Sequence, residues 1–208
     1  GGATAVIKAL FDAVSESGTI VIPTYHTVGG SMYATCVADD YVFDPRTAPT
    51  HLGAIPSAAL KFPAAKRSIH PTHSVSAIGK EAVYITKDHH IAESTFGKDS
   101  PWDRIISMNG KVLGLGVSIA YPAYYHVVED MMLDKFPLPV RMKESYFVKC
   151  LDWNGNQISV KVNPLDPAFS KRRIDQKNRD DLREYFWQEF KSAGLLKVGM
   201  IGEATSWL

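Results

Sequence analysis

His126 and Glu129 stand three residues apart in the segment YPAYYHVVED, whose apolar spacing predicts a helix over residues 124–133. One helical turn separates them, so both side chains can face the same side. A histidine takes up a proton near neutral pH, and a carboxylate beside it fixes which ring nitrogen carries hydrogen. The preceding run, residues 111–116, is rich in Val and Leu and bounded by glycines, which predicts a buried strand. His126 therefore lies just past the carboxyl end of a strand, where α/β folds commonly place their chemistry. The plainer alternative for His126 alone is a packed surface histidine at a helix start.

Other chemistries fit the sequence less well. His70, His73, His89, His90, His126 and Glu129 are the side chains that invite a metal. Zinc hydrolases place two histidines four apart on a helix with a glutamate between them, whereas Pro71 disfavours a helix through His70 and His73. No cysteine pair supports a metal cluster, and no metal is expected. Gly114-Leu115-Gly116 lacks the third glycine of a dinucleotide fingerprint, and these glycines lie within the predicted strand rather than opening a helix. No G-x-S-x-G elbow supplies a serine nucleophile. Cys36 and Cys150 read as buried, inert thiols. What remains is a general base without a protein nucleophile, which suits direct transfer of an activated group to an amine or hydroxyl.

The elements that must position this base are readable along the 208 residues. An apolar stripe of Val6, Ile7, Leu10, Phe11 and Val14 predicts an opening helix, capped at Gly18, and 19–23 (TIVIP) reads as a buried strand. Residues 24–56 show no periodicity, and a loop of that length is often functional. Short helices are expected at 57–62 and 80–86, with a strand at 74–78. Ser100-Pro101-Trp102-Asp103 is a helix start, with an N-cap hydroxyl, proline at the first position and an acid in the first turn. Residues 145–151 and 158–162 alternate as strands around Asn154-Gly155, a hairpin signal. A helix over 175–190 and a last strand at 198–201 complete the pattern.

Together these predict a single α/β domain over residues 1–208, with a central mixed sheet, helices on both faces and the 145–162 hairpin as an appendage. Apolar residues make up 45% of the chain and charged residues 22%, as in ordinary globular proteins. A net charge of +1 offers no field for nucleic acid or an anionic membrane, so neither is an expected partner. No apolar run approaches the ~20 residues that span a bilayer, and no signal-peptide pattern opens the chain. Two unclustered cysteines fit a reducing, cytoplasmic location.

Three blocks carry a resemblance: KRSIHPTHSVSAIG (66–79), SPWDRIISMNGKVLGLGV (100–117), and His126 with Glu129 beyond it. GTIVIPT (18–24) and KVGMIGEATSWL (197–208) extend it over nearly the whole chain. In this order they resemble the aminoglycoside 3-N-acetyltransferases, the antibiotic N-acetyltransferase family. That resemblance implies an antibiotic-resistance type of acyltransferase that moves acetyl from acetyl-coenzyme A to an amine of a small aminoglycoside-like acceptor, by direct sequential transfer and without a metal. It makes His126 the general base and Asp166 the first choice of carboxylate, with Glu129 the alternative because it lies a turn away on the same helix. It assigns Arg67, His70, Ser74, Ser100 and Arg104 to the coenzyme A side, and Asp39 and Asp40 to the acceptor. A solvated surface role is the alternative for the two arginines, and an exposed loop for the aspartate pair.

Two features depart from the family pattern. Members usually begin with a strand and a His-Ser-Ser segment before the first helix, so a truncated chain is expected. Where a threonine normally precedes the histidine, Ala123-Tyr124-Tyr125 stand here. These departures motivate a competing class, a non-catalytic homologue that binds a ligand or serves as a sensor, and an acyltransferase for a non-antibiotic amine is a further alternative.

Overall fold

The structure is a computed structural model and describes residues 2–201 and 204–207. Helix α1 (Ala3–Val14) leads to β1 (Thr19–Pro23), then α2 (Met32–Cys36), α3 (Ala54–Ala59), β2 (Lys66–Arg67) and β3 (Val75–Gly79). Next come α4 (Ala82–Thr86), α5 (Pro101–Ser107), β4 (Gly114–Leu115) and α6 (Tyr124–Met131). The last part holds β5 (Tyr146–Leu151), β6 (Gln157–Val162), α7 (Pro167–Ser170), α8 (Asp180–Ser192), β7 (Val198–Ile201) and β8 (Ala204–Trp207).

The sheet β1-β3-β2 is the frame for the site. β1 runs antiparallel to β3 with Thr19 opposite Gly79 and Pro23 opposite Val75. Side chains alternate across a strand, so neighbouring residues serve opposite faces. Ile20, Ile22 and Ile78 meet Ile7 of α1 and Ala59 of α3 on one face. Val21 and Val75 instead join Phe96, Trp102 of α5 and Val127 of α6 on the other. Helices thus cover both faces, and α6, which carries His126, belongs to the second.

The α/β class is as the sequence predicts, but the strands do not form one central mixed sheet. The described strands lie in three open antiparallel sheets, β1-β3-β2, β4-β8-β7 and β5-β6. Two of the strands, β2 and β4, supply only two residues each to their ladders. The expected buried strand at 111–116 shrinks to Gly114–Leu115: Lys111 and Leu113 are exposed ahead of it, and Gly116 leaves the ladder behind it at φ 63°. The hairpin forms around Asn154-Gly155 as expected, but it is docked rather than projecting. Val148, Cys150, Val160 and Val162 face inward, and Phe43 pairs alongside Cys150 in a parallel bridge. Phe43, which is fully buried, donates its N–H to the Lys149 carbonyl and accepts from Leu151.

Helix boundaries follow local chemistry where that chemistry is present. The Ser100 hydroxyl accepts from the Asp103 N–H and Pro101 begins α5, as the sequence predicts. At the end of α1 it is Ser15, at φ 63°, and not Gly18 that takes a positive φ. The aperiodic 24–56 stretch contains α2, the Phe43 bridge and the start of α3. The last long helix starts at Asp180 rather than 175. Among the described residues no helix is long and apolar enough to cross a membrane.

Candidate active site

The site is built outward from α6. Val127 is buried against Phe96 and Trp102, which fixes the rotation of the helix. His126, Glu129 and Asp130 then share the adjoining face. The His126 ring stacks on Phe96 at 4.6 Å between centroids, and the ring of His73 meets it edge-on at 5.9 Å. Asp130 braces the Phe96 loop by accepting its backbone N–H at 3.0 Å. Asp130 also pairs with Arg141, whose Nε lies 2.7 Å from its Oδ1.

The carboxylate on His126 is Glu129, with Oε2 2.8 Å from Nδ1. Its second oxygen accepts from Arg173 Nε at 2.7 Å. The same guanidinium donates from one terminal nitrogen to Asp175 at 2.9 Å and reaches His126 Nε2 with the other at 3.3 Å. Glu129 and Arg173 are each 8% exposed at the side chain, so this network is screened from bulk water. A carboxylate only accepts and a guanidinium only donates, so the two contacts place the ring hydrogen on Nδ1 and leave Nε2 as the lone pair.

Electrostatics agree with that tautomer. Burial lowers the His126 pKa below 6.5, the Glu129 hydrogen bond pushes it back, and the charges of Arg173 and Arg141 lower it again. For Glu129, burial pushes upward, but the hydrogen bonds and charges of His126 and Arg173 outweigh it and hold it below 4.5. The result is a neutral imidazole beside an ionised carboxylate at neutral pH. His126 opens onto a cleft of about 780 Å³ that is walled also by Tyr25, His51, His73, Phe96, Arg141 and Arg173.

The other site residues expected from the sequence go elsewhere. Asp166 caps α7, accepting from the N–H groups of Ala168 and Phe169, so the structure brings Glu129 and not Asp166 to the base. The helix it caps, α7, leads into the turn that carries Arg173. Arg67 is buried, with Nε donating to Ser74 at 3.0 Å and the terminal nitrogens to carbonyls of Thr24, Pro45, Ala48 and Pro49. Ser74 in turn donates to the Thr24 carbonyl at 2.9 Å. His70 is buried, accepting from the Thr72 and His73 N–H groups through Nδ1. Ser100 is the fully buried α5 cap, and Arg104 is buried with its guanidinium on the carbonyls of Ile85 and Lys87. None of these five lines the cleft. Asp39 and Asp40 are exposed and also lie off it.

These five positions therefore predict stability effects in place of ligand effects. Arg67→Met strands several buried carbonyls, each worth ~1–3 kcal/mol when unsatisfied, and should lower the unfolding free energy by about 3 kcal/mol or more. Chemical denaturation checks this, and coenzyme A affinity of the folded variant should stay unchanged.

Sequence reasoning missed His73 as a cleft wall, and missed Arg141, Arg173 and Asp175 altogether. His73 was visible in His70-Pro71-Thr72-His73, but nothing in that spacing says which histidine faces outward. Arg173 sits in Lys171-Arg172-Arg173, a run that reads as solvated charge.

Comparison with known proteins adds the following. The whole chain, residues 1–208, matches the family described as aminoglycoside 3-N-acetyltransferase. Aminoglycoside N(3)-acetyltransferase VII of Streptomyces paromomycinus is 33% identical over 222 residues, covering 100% of this chain and 75% of that protein. Two solved structures share the fold. AAC-VIa bound to sisomicin has a TM-score of 0.76 at 23% identity, covering 99% of this chain and 78% of that one. AAC-IIIb in binary complex with CoASH has a TM-score of 0.75 at 24% identity, covering 99% and 77%.

Proposed function

The chain belongs to the aminoglycoside 3-N-acetyltransferase family, an acetyltransferase, and on that premise we propose that His126 is the base for transfer of acetyl from acetyl-coenzyme A to an aminoglycoside-like amine. The observation that carries this reading is a neutral, carboxylate-oriented imidazole at the edge of a large cleft. Related proteins of this fold bind CoASH and sisomicin, which supports the same two ligand classes here. Burial pushes Cys36 up to about 11 and Cys150 up to about 12, so neither thiol is a ready nucleophile and direct transfer is favoured.

In this mechanism the amine loses its proton to His126 Nε2 as its nitrogen bonds to the thioester carbonyl carbon. The C–S bond breaks, sulfur leaves with the electron pair, and the proton held on Nε2 is returned to it. Glu129 keeps the ring in the Nδ1–H tautomer and stabilises the imidazolium while it exists. Phe96 stacking fixes the ring plane, and the Glu129–Arg173–Asp175 chain fixes Glu129.

The test is acceptor-dependent thiol release from acetyl-coenzyme A, with sisomicin as the first amine. Release that needs no acceptor, or none across an amine panel, overturns the reading. The pH profile supplies a second check. A base whose pKa lies below 6.5 stays unprotonated to lower pH than a free histidine. The acid limb of kcat/KM should therefore break below 6.5 in a scan from about pH 5 to 8.

A further inference from the structure

We propose that Arg173 is a positioning residue that caps the base: one terminal nitrogen holds the Nε2 lone pair of His126, and an acceptor must displace that contact before its proton can move. The proposal rests on the reading of His126 as base. A guanidinium has donors and no acceptor, so its 3.3 Å contact occupies the one lone pair that the reaction needs. The three contacts of Arg173 are unequal. Those to Glu129 and Asp175, at 2.7 and 2.9 Å, are charge-assisted on both sides, while that to the neutral imidazole is the longest. The cap is thus the contact that yields first, and Arg173 stays anchored to both carboxylates when it does.

Among the described residues, four titratable or charged groups act on the His126 ring. Glu129 comes from its own helix, Arg173 from the turn between α7 and α8, Arg141 from the segment before the hairpin, and His73 from the loop before β3. Arg141 is paired with Asp130, and burial holds the His73 pKa well below 6.5. Arg173 is therefore the cation that acts on Nε2 directly. The turn that carries it is held from both sides: Asp166 starts α7, and Arg183 of α8 donates through Nε to the Ile174 carbonyl at 3.1 Å.

The experiment compares the full chain with Arg173→Met, which keeps length and removes every donor, and Asp175→Asn, which loosens one anchor. The His126 titration midpoint is read by NMR of labelled histidine, and carbethoxylation of His126 by diethyl pyrocarbonate is read by mass spectrometry. Arg173→Met should raise the midpoint by about one unit, since a neighbouring like charge is gone, and should speed carbethoxylation. Asp175→Asn removes a carboxylate that shares the guanidinium and leaves Arg173 held by Glu129 beside the ring, so it should move both in the opposite direction by less, and it decides alone if the methionine variant does not fold. Kinetically, Arg173→Met should lower KM for the acceptor while kcat falls, because displacement is no longer needed but Glu129 has lost an anchor. An unchanged midpoint with unchanged carbethoxylation overturns the cap, and an acceptor KM that does not fall overturns the displacement. Titration and carbethoxylation need no turnover, so failure of the base reading, seen as normal turnover without His126, is told apart from failure of the cap.

Discussion

His126→Ala should turn over about 10²–10⁴-fold more slowly than the parent chain, the range that general-base catalysis contributes. An ammonium gives one proton to solvent before it can attack, and the second proton, shed by the free amine as its new bond forms, is the one that needs an acceptor in the cleft. Nε2 is the lone pair available for it, and no other described side chain in the cleft combines a lowered pKa with a carboxylate on its far nitrogen. His73 is half-buried and its pKa is lowered, but its Nδ1 is bonded to the Thr72 hydroxyl at 2.8 Å, which cannot stabilise a cation as Glu129 does. The loss should fall on kcat, with coenzyme A affinity by calorimetry nearly unchanged. Cys36→Ser and Cys150→Ser serve as controls and should leave kcat near its parent value. Cys150→Ser should still cost about 1–3 kcal/mol of stability, because it places a hydroxyl among Phe43, Ile69 and Val160. A trapped acetyl-enzyme, or normal turnover by His126→Ala, would falsify the mechanism.

How far the sequence reaches depends on how local each interaction is. The α5 cap, the Asn154-Gly155 hairpin, β1 and α6 are fixed by neighbours within a few residues, so their signals survive in the chain order. The His126–Glu129 pair is local too, three residues apart on one helix. The partners of Arg67 are 7 to 43 residues away, and a basic residue in a polar stretch gives no hint that five acceptors will surround it. Arg173 lies 44 residues from Glu129, across the whole hairpin. The choice of Asp166 over Glu129 came from family resemblance, and the geometry reverses it because an aspartate directly before Pro167 is an efficient N-cap. The sheets differ from the expected single one for a related reason: strand pairing joins distant segments, and Gly116 ends at φ 63° a run whose composition alone promises a longer buried strand.

Glu129→Gln should lower kcat by about 10²–10⁴-fold, as loss of an orienting carboxylate does in other histidine-based sites. The amide keeps the size of Glu129 but presents one acceptor and one donor where the carboxylate had two acceptors. The oxygen cannot serve Nδ1 and Arg173 together at the distances now used, 2.8 and 2.7 Å from separate oxygens. If the amide nitrogen turns toward the ring, Nδ1 becomes an acceptor and the tautomer reverses. Removing the negative charge also leaves Arg173 and Arg141 as the charges acting on His126, so its pKa moves further down and the acid limb of kcat/KM shifts to lower pH even as the plateau drops. Stability changes with pH in a matching way. The native pKa of Glu129 is depressed, so its ion pair contributes stability that is fully present above the ordinary carboxylate pKa of about 4.3 and is lost as pH falls through the lower native value. Thermal melts from neutral pH down through that region should show a steeper acid loss for the parent than for Glu129→Gln. A variant whose rate, acid limb and acid melting all match the parent would remove Glu129 from the site.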